Sequence, residues 1–249
     1  MSNFIELDLL KDEDPSAKIY NIDSAIKESS IAIILGAPGS GKSSLLKLFE
    51  NKNSSNTIRR TFQDFDLNPD VDDSTQYLLL DGLDEFRNAQ RDNKTGILKK
   101  IALKLKQLDK KVKITIACRE MDWLGNTDED ALKSYLQNEV QVFTVKPLDV
   151  QKRIELLRFF GVNENADSFK PLIVENELFD NPQILKMFVE IYKKNPSICI
   201  TTKAELFGYY IEFSQEHNEE NLANCINQIE PDLFKETLAI SHTIICLLI

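Results

Sequence analysis

The chain has 249 residues, of which 42% are hydrophobic and 28% charged, and its formal net charge is -10 at pH 7. That length holds one large domain, or one domain and part of another, and the composition excludes wholesale disorder. The acidic balance argues against broad contact with nucleic-acid backbone or anionic lipid, both of which select clustered Lys and Arg, though a local basic patch stays open.

In chain order, the first half alternates short apolar runs with helix-like stretches, the pattern of a parallel α/β sheet. A first strand is expected at Ile31–Leu35, apolar throughout and therefore buried on both faces. A helix follows over Lys42–Glu50. Thr57–Phe62 is a second strand, marked as an edge by Arg59 and Arg60. Asn68–Thr75 is an acidic loop, and Tyr77–Leu80 a compact third strand. Thr95–Leu108 has Ile97, Leu98, Ile101, Leu105 and Leu108 at helical spacing. Val112–Ala117 is a fourth strand, Asp128–Gln137 a helix, and Val140–Val145 a fifth strand. After Pro147 the pattern turns helical: Val150–Phe160, ended by Gly161, then Asp167–Asn176, Pro182–Lys194, Lys203–Gln215 and Pro231–Leu248. The expected fold is thus a five-stranded parallel sheet flanked by helices over residues 1–146, then an all-helical domain over 147–249.

The cysteines, Cys118, Cys199, Cys225 and Cys246, form no C-x-x-C pair and have no His at ligand spacing, which speaks against zinc and against a disulfide framework. Residues 1–10 lack the basic start and apolar run of a signal peptide, and no window approaches the roughly 18 apolar residues of a membrane span. The expected location is the cytoplasm, with no membrane partner.

Two constellations carry chemistry. Gly36-Ala37-Pro38-Gly39-Ser40-Gly41-Lys42-Ser43 matches G-x-x-x-x-G-K-[ST] at every fixed position, and it lies between an apolar strand and an apolar-faced helix. Glycines let such a loop curl so that its N–H groups point at phosphate oxygens, and the helix start adds a favourable dipole. Lys42 then reaches the β- and γ-phosphates, Ser43 ligates Mg²⁺, and Ser44 bonds the α-phosphate. The second is Leu78-Leu79-Leu80-Asp81-Gly82-Leu83-Asp84-Glu85-Phe86. Asp81 ends a buried strand expected beside the phosphate-loop strand, where a carboxylate holds Mg²⁺. Glu85 is the first candidate to polarise a water, and Asp84 the second; the bland reading of both is a solvated acidic loop. Arg119 ends the fourth strand, placed to report a γ-phosphate; its bland reading is a surface arginine paired to Glu120. Trp123 is read as a packing anchor.

Taken together these residues resemble the NACHT-type branch of the STAND signal-transduction NTPases, relatives of the AAA+ proteins. The likeness rests on GAPGSGKS, LLLDGLDEF, TIACREMDW, KPLDVQKRIELLRFFG and FDNPQIL, in that order, and covers about Ile19 to Lys194. It implies ATP and ADP as nucleotides with Mg²⁺, the roles above for Lys42, Ser43, Asp81, Glu85 and Arg119, and Pro182 against the adenine and ribose. It also implies an ATP-driven switch: ADP holds it closed, ATP opens it and lets it self-associate, and an attached effector is activated. Bacterial members often serve in defence against phage, under control of a sensor domain. The chain departs from the pattern in two ways. It begins almost directly at the nucleotide domain, leaving no room for an N-terminal effector. The family's winged-helix His is not matched by Ser241-His242-Thr243, and His217 reads as solvated surface. The apolar end at Ile240–Ile249 reads either as the mark of a fragment or as a terminal helix docked on its own core.

The rival function is an AAA+-like remodeller or loader working in a ring, which needs an arginine finger; Arg87 and Arg91 are the candidates. A nucleotide scaffold without hydrolysis is opposed by the Asp84–Glu85 pair. A small-molecule kinase lacks its Arg-rich lid. A GTPase lacks N-K-x-D, since Asn93-Lys94-Thr95-Gly96 has no Asp.

Overall fold

The computed structural model describes residues 5–12, 18–90, 96–109, 111–162, 176–195, 198, 200 and 202–215. The chain divides between Lys146 and Pro147 into two compact units.

The first unit is built on one sheet. Its elements are β1 (Leu9–Lys11), β2 (Ile19–Tyr20), α1 (Ile22–Glu28), β3 (Ile31–Gly36), α2 (Lys42–Lys52), β4 (Thr57–Thr61), α3 (Phe62–Leu67), β5 (Tyr77–Asp81), α4 (Leu83–Ala89), α5 (Gly96–Leu105), β6 (Lys113–Arg119), α6 (Asn126–Leu136) and β7 (Val140–Val145). The strands form a seven-stranded sheet in the order β2-β1-β7-β3-β6-β5-β4. From β7 to β4 all pairings are parallel. At the other edge β1 and β2 pair antiparallel. The sheet is therefore mixed, which corrects the expectation of a purely parallel one: two short strands extend the β7 edge.

All six residues of β3 are buried. Ile31, Ile33 and Leu35 join a core with Leu83, Phe86, Ile97 and Ile101 of α4 and α5. Ala32 and Ile34 are equally buried on the other face, where α1 and α2 pack. Each fully buried large aliphatic side chain contributes about 1.5–3 kcal/mol, so β3 is a stiff base for the loop at its end. Trp123 and the exposed-edge residue Ile58 are partly buried against the same core. Cys118 is buried within it, and burial pushes its thiol up to about 12, as suits an inert core residue.

Strand order corrects a second expectation. Asp81 does not end a strand adjacent to the phosphate-loop strand, because β6 lies between β3 and β5. Gly36 is in register with Arg119 across β3 and β6, and Thr61 with Asp81 across β4 and β5. The carboxyl edge of the sheet thus presents Gly36, Arg119, Asp81 and Thr61 in spatial order. Ligands of open α/β sheets bind at that edge, where consecutive connections leave in opposite directions. Here β3 leads to β4 at one border of the sheet, while β7 lies on its other side.

The second unit carries α7 (Val150–Phe159), a short 3-10 turn (Glu177–Asp180), α8 (Pro182–Lys194) and α9 (Lys203–Gln215), with no strand among its described residues. Asp149 caps α7, its Oδ1 accepting the Lys152 N–H at 3.0 Å. Arg153, buried, donates through Nε to the Leu148 carbonyl at 3.0 Å and pairs with Asp180. Asn181 caps α8, its Oδ1 accepting the Gln183 N–H at 2.9 Å, and Pro182 is the first helical residue. Proline suits that position because its missing N–H has no helical partner to lose. The helix expected at 231–248 lies outside the described residues, as does all but the last residue of the one expected at 167–176.

Candidate functional site

The loop after β3 folds as its glycines require. Gly39 and Gly41 have φ of 72° and 94°, conformations that side chains with a Cβ rarely adopt. Gly41 is the residue just before α2, at its N-cap, and offers no side chain to cap the helix. The first N–H groups of α2 therefore lack side-chain partners and face the loop, the arrangement that receives anions. Gly36 has a different reason to be glycine: a Cβ there would stand 2.6 Å from Ser40 Oγ and 3.3 Å from Val145 Cβ. Ser40 Oγ is itself buried without a hydrogen-bond partner. Lys42 turns its ammonium inward, donating to the carbonyls of Gly36 at 2.8 Å and Ala37 at 3.0 Å. Burial lowers the Lys42 pKa, and the charge of Asp84 opposes that shift. Pro38 lies within the loop half-buried, while Ser43 and Ser44, in the first turn of α2, are exposed.

Asp81 closes β5. Burial raises its carboxyl, against a hydrogen bond from the Ser43 side chain and the charges of Arg59 and Lys42. Arg59 Nη1 stands 3.6 Å from Asp81 Oδ2, and Arg59 Nε donates to Glu50 at 2.9 Å. Sequence reasoning had Arg59 only as an edge marker. Its register two residues before Thr61 is what brings it to Asp81, and nothing local to β4 signals that.

Next, Gly82 takes φ 77° and starts α4. A Cβ on Gly82 would lie 2.7 Å from Glu85 Oε2, so the Glu85 carboxylate folds back over the bare glycine. The acidic pair is thus in the first turn of a helix and not in a loop, and negative charge is favourable there. The two acids have opposite environments. Glu85 is 65% exposed, and desolvation, reinforced by the Asp84 charge, raises its carboxyl. Asp84 is 3% exposed and is taken up by Arg119: Asp84 Oδ2 meets Arg119 Nε at 2.6 Å, and Oδ1 accepts the Arg119 main-chain N–H at 3.3 Å. Arg119 Nη2 is 3.7 Å from Glu85 Oε1. The partner of Arg119 is therefore Asp84 and not its neighbour Glu120.

Arg87 is not available as a finger. It is 2% exposed, its Nη2 donates to Asp128 Oδ1 at 2.6 Å, and its Nη1 donates to the Asp122 carbonyl. Asp128 Oδ2 in turn accepts the Leu124 N–H at 2.8 Å. Arg91, His217 and His242 lie outside the described residues. Pro182 belongs to the second unit, where it opens α8.

A cleft of about 300 Å³ lies at the sheet's carboxyl edge, lined by Ser43, Thr61, Gln63, Asp81, Gly82 and Glu85 together with Phe62, Phe86 and Ala89. Among the described residues no group of three or more His, Cys, Asp or Glu is arranged to hold a metal by itself. Ser43 and Asp81 offer two hard oxygens, which fits Mg²⁺, an ion that usually takes one or two protein oxygens and completes its shell with phosphate and water.

No protein-family model matches the chain, and no curated protein matches it. Among solved structures, it is similar to AMPPCP-bound DnaA from Aquifex aeolicus, at 16% identity and a TM-score of 0.48, over 71% of this chain and 60% of that one. A DNA replication initiation factor matches at 15% identity and a TM-score of 0.45, over 70% and 59%. A Walker-type ATPase of Pyrococcus abyssi matches at 13% identity and a TM-score of 0.47, over 88% and 81%. The match thus spans about 60% of the length of the first two of these chains.

Proposed function

We propose that this chain binds ATP with Mg²⁺ at the β3–α2 loop and hydrolyses it slowly, as the nucleotide module of a NACHT-type STAND switch of the kind used in bacterial antiphage defence or signalling. The observation that carries the reading is the state of Lys42. Its half-buried side chain folds back into the loop, the ammonium resting on two neutral carbonyls, those of Gly36 and Ala37. Phosphate oxygens are stronger acceptors for an ammonium than carbonyls are, so Lys42 exchanges one set for the other when a triphosphate enters. The N–H groups at the start of α2 bind the same phosphates. Ser43 and Asp81, which line the same cleft, would hold Mg²⁺. When bound, that ion supplies charge neutralisation on the β- and γ-oxygens.

Glu85 accepts the proton of the attacking water. Its raised carboxyl and its place on the cleft support that role. The burial of Asp84 and its pairing with Arg119 favour Glu85 over Asp84 as base. Arg119 donates to the terminal phosphate. The output is a change of state: ADP keeps the chain closed, and ATP opens it for self-association and contact with effector and sensor partners. The burial of Arg87 removes one of the two finger candidates for the ring-remodeller reading, and the other, Arg91, lies outside the described residues.

Calorimetric titration with ATP and Mg²⁺ tests the reading. Lys42→Ala loses binding, and the unaltered chain carries ADP or turns over below about 1 per second, against roughly 1–100 per second for kinases. Tight ATP binding by Lys42→Ala refutes the cradle. Fast turnover that rises with protein concentration favours the ring ATPase.

A further inference from the structure

Resting on that ATPase reading, we propose that Asp84 is a positioning residue that anchors Arg119, so that the guanidinium is presented to the terminal phosphate and distinguishes triphosphate from diphosphate. Both oxygens of the Asp84 carboxylate are engaged by this one residue, Oδ2 by Nε at 2.6 Å and Oδ1 by the main-chain N–H at 3.3 Å. The contact therefore fixes the arginine at its inner end. It uses one of the five guanidinium donors and leaves the terminal nitrogens for another acceptor. One of them, Nη2, stands 3.7 Å from Glu85 Oε1, beyond hydrogen-bond reach. The Arg119 side chain is 28% exposed, and Arg119 is in register with Gly36, where the phosphate loop begins.

The anchor is itself held. Asp84 lies in α4, and three residues on Arg87 ties α4 to Asp128 and to the Asp122 carbonyl, both just beyond Arg119. Helix α4 is thus tied by Asp84 to the end of β6, and by Arg87 to the turn after β6 and to α6. A long arginine anchored this way loses little freedom when it meets phosphate, and the bond it then makes is charge-assisted. A general base at Asp84 would need to face water, whereas Asp84 is 3% exposed and each of its oxygens already meets Arg119.

The experiment uses the full chain with Mg²⁺, a fluorescent non-hydrolysable ATP analogue and the matching fluorescent ADP. The ratio of the two affinities is measured for the unaltered chain, Asp84→Asn, Arg119→Gln, the double variant and Arg119→Lys. The unaltered chain prefers the triphosphate. Asp84→Asn and Arg119→Gln each reduce that preference by about tenfold, the effect of one charge-assisted hydrogen bond, and leave ADP affinity in place. The double variant loses no more than either single one. Arg119→Lys keeps the charge but not the fork, and loses the preference as well; it decides the matter if Asp84→Asn fails to fold. A full preference in Asp84→Asn or in Arg119→Lys overturns the anchor, whatever happens to turnover, and so does an unaltered chain with equal affinities. Failure of the ATPase reading looks different: nucleotide binding is then absent or insensitive to Lys42→Ala, and both proposals fall together.

Discussion

Replacing Gly82 by Ala separates two duties of one glycine. At φ 77° the left-handed backbone is open to Gly and disfavoured by about 1–2 kcal/mol for a residue with a Cβ. The stiffer unfolded chain of the variant returns about 0.4–1 kcal/mol. The net loss is about 1 kcal/mol, which lowers the melting temperature by about 2–4 °C in a chain of this size. The functional loss is larger, because the new Cβ falls 2.7 Å from Glu85 Oε2 and the carboxylate must leave its place over the helix start. If Glu85 is the base, kcat falls at least about tenfold, a part of the hundred- to ten-thousand-fold that a general base supplies, while ATP affinity holds. Gly82→Asn is the control. Asn tolerates the left-handed region better, so stability recovers while the crowding of Glu85 remains. Steady-state ATPase assays beside thermal melts read the two effects apart. A Gly82→Asn chain with unaltered kcat would refute the link between the bare glycine and the base.

Four further outcomes are expected. Glu85→Gln keeps ATP binding in a filter assay and loses about 10²–10⁴-fold in turnover; unchanged turnover moves the base elsewhere. The acid limb of the rate profile lies above the ordinary glutamate range, because the raised Glu85 carboxyl must lose its proton to act, and rate is lost as pH falls through that raised value; Glu85→Gln removes the limb. The stability effect of the same group has the opposite sign. Between the ordinary and the raised pKa the native state of Glu85, and of Asp81, holds protons the unfolded chain has released, so stability falls as pH rises through that window. Arg87→Met leaves Asp128 buried without its cation and destabilises by about 3–5 kcal/mol in urea unfolding. Adding Asp128→Leu recovers most of that, and a single variant as stable as the parent contradicts the buried pair.

The strands that were legible include those written as apolar runs, Ile31–Gly36 and the leucines of Tyr77–Asp81. Helix α8 was expected over Pro182–Lys194, the range it occupies, with Pro182 in its first turn. The misses have local causes. β1 and β2 have three and two residues, too few for any periodicity. Phe62 was read into the preceding strand, yet Thr61 caps a helix there, accepting the Asp64 N–H at 3.1 Å. α4, with seven residues, follows Asp81 after a single glycine, and no helix was expected there. The order of the strands has no signature in the chain, so β6 between β3 and β5 was invisible. Side-chain pairing over distance was hidden for the same reason: Asp84 meets Arg119 across 35 positions and Arg87 meets Asp128 across 41. Residue types at the phosphate loop were readable because one loop holds them all; the roles of Asp84, Arg87 and Arg59 depend on which strands are neighbours.

Crystals grown with Mn²⁺ and a non-hydrolysable triphosphate give the most direct measurement. The expected result is an anomalous manganese signal between Ser43 and Asp81, with the Lys42 ammonium moved from the Gly36 and Ala37 carbonyls onto phosphate oxygens. A triphosphate bound elsewhere, with Lys42 still on its own loop, would contradict the account.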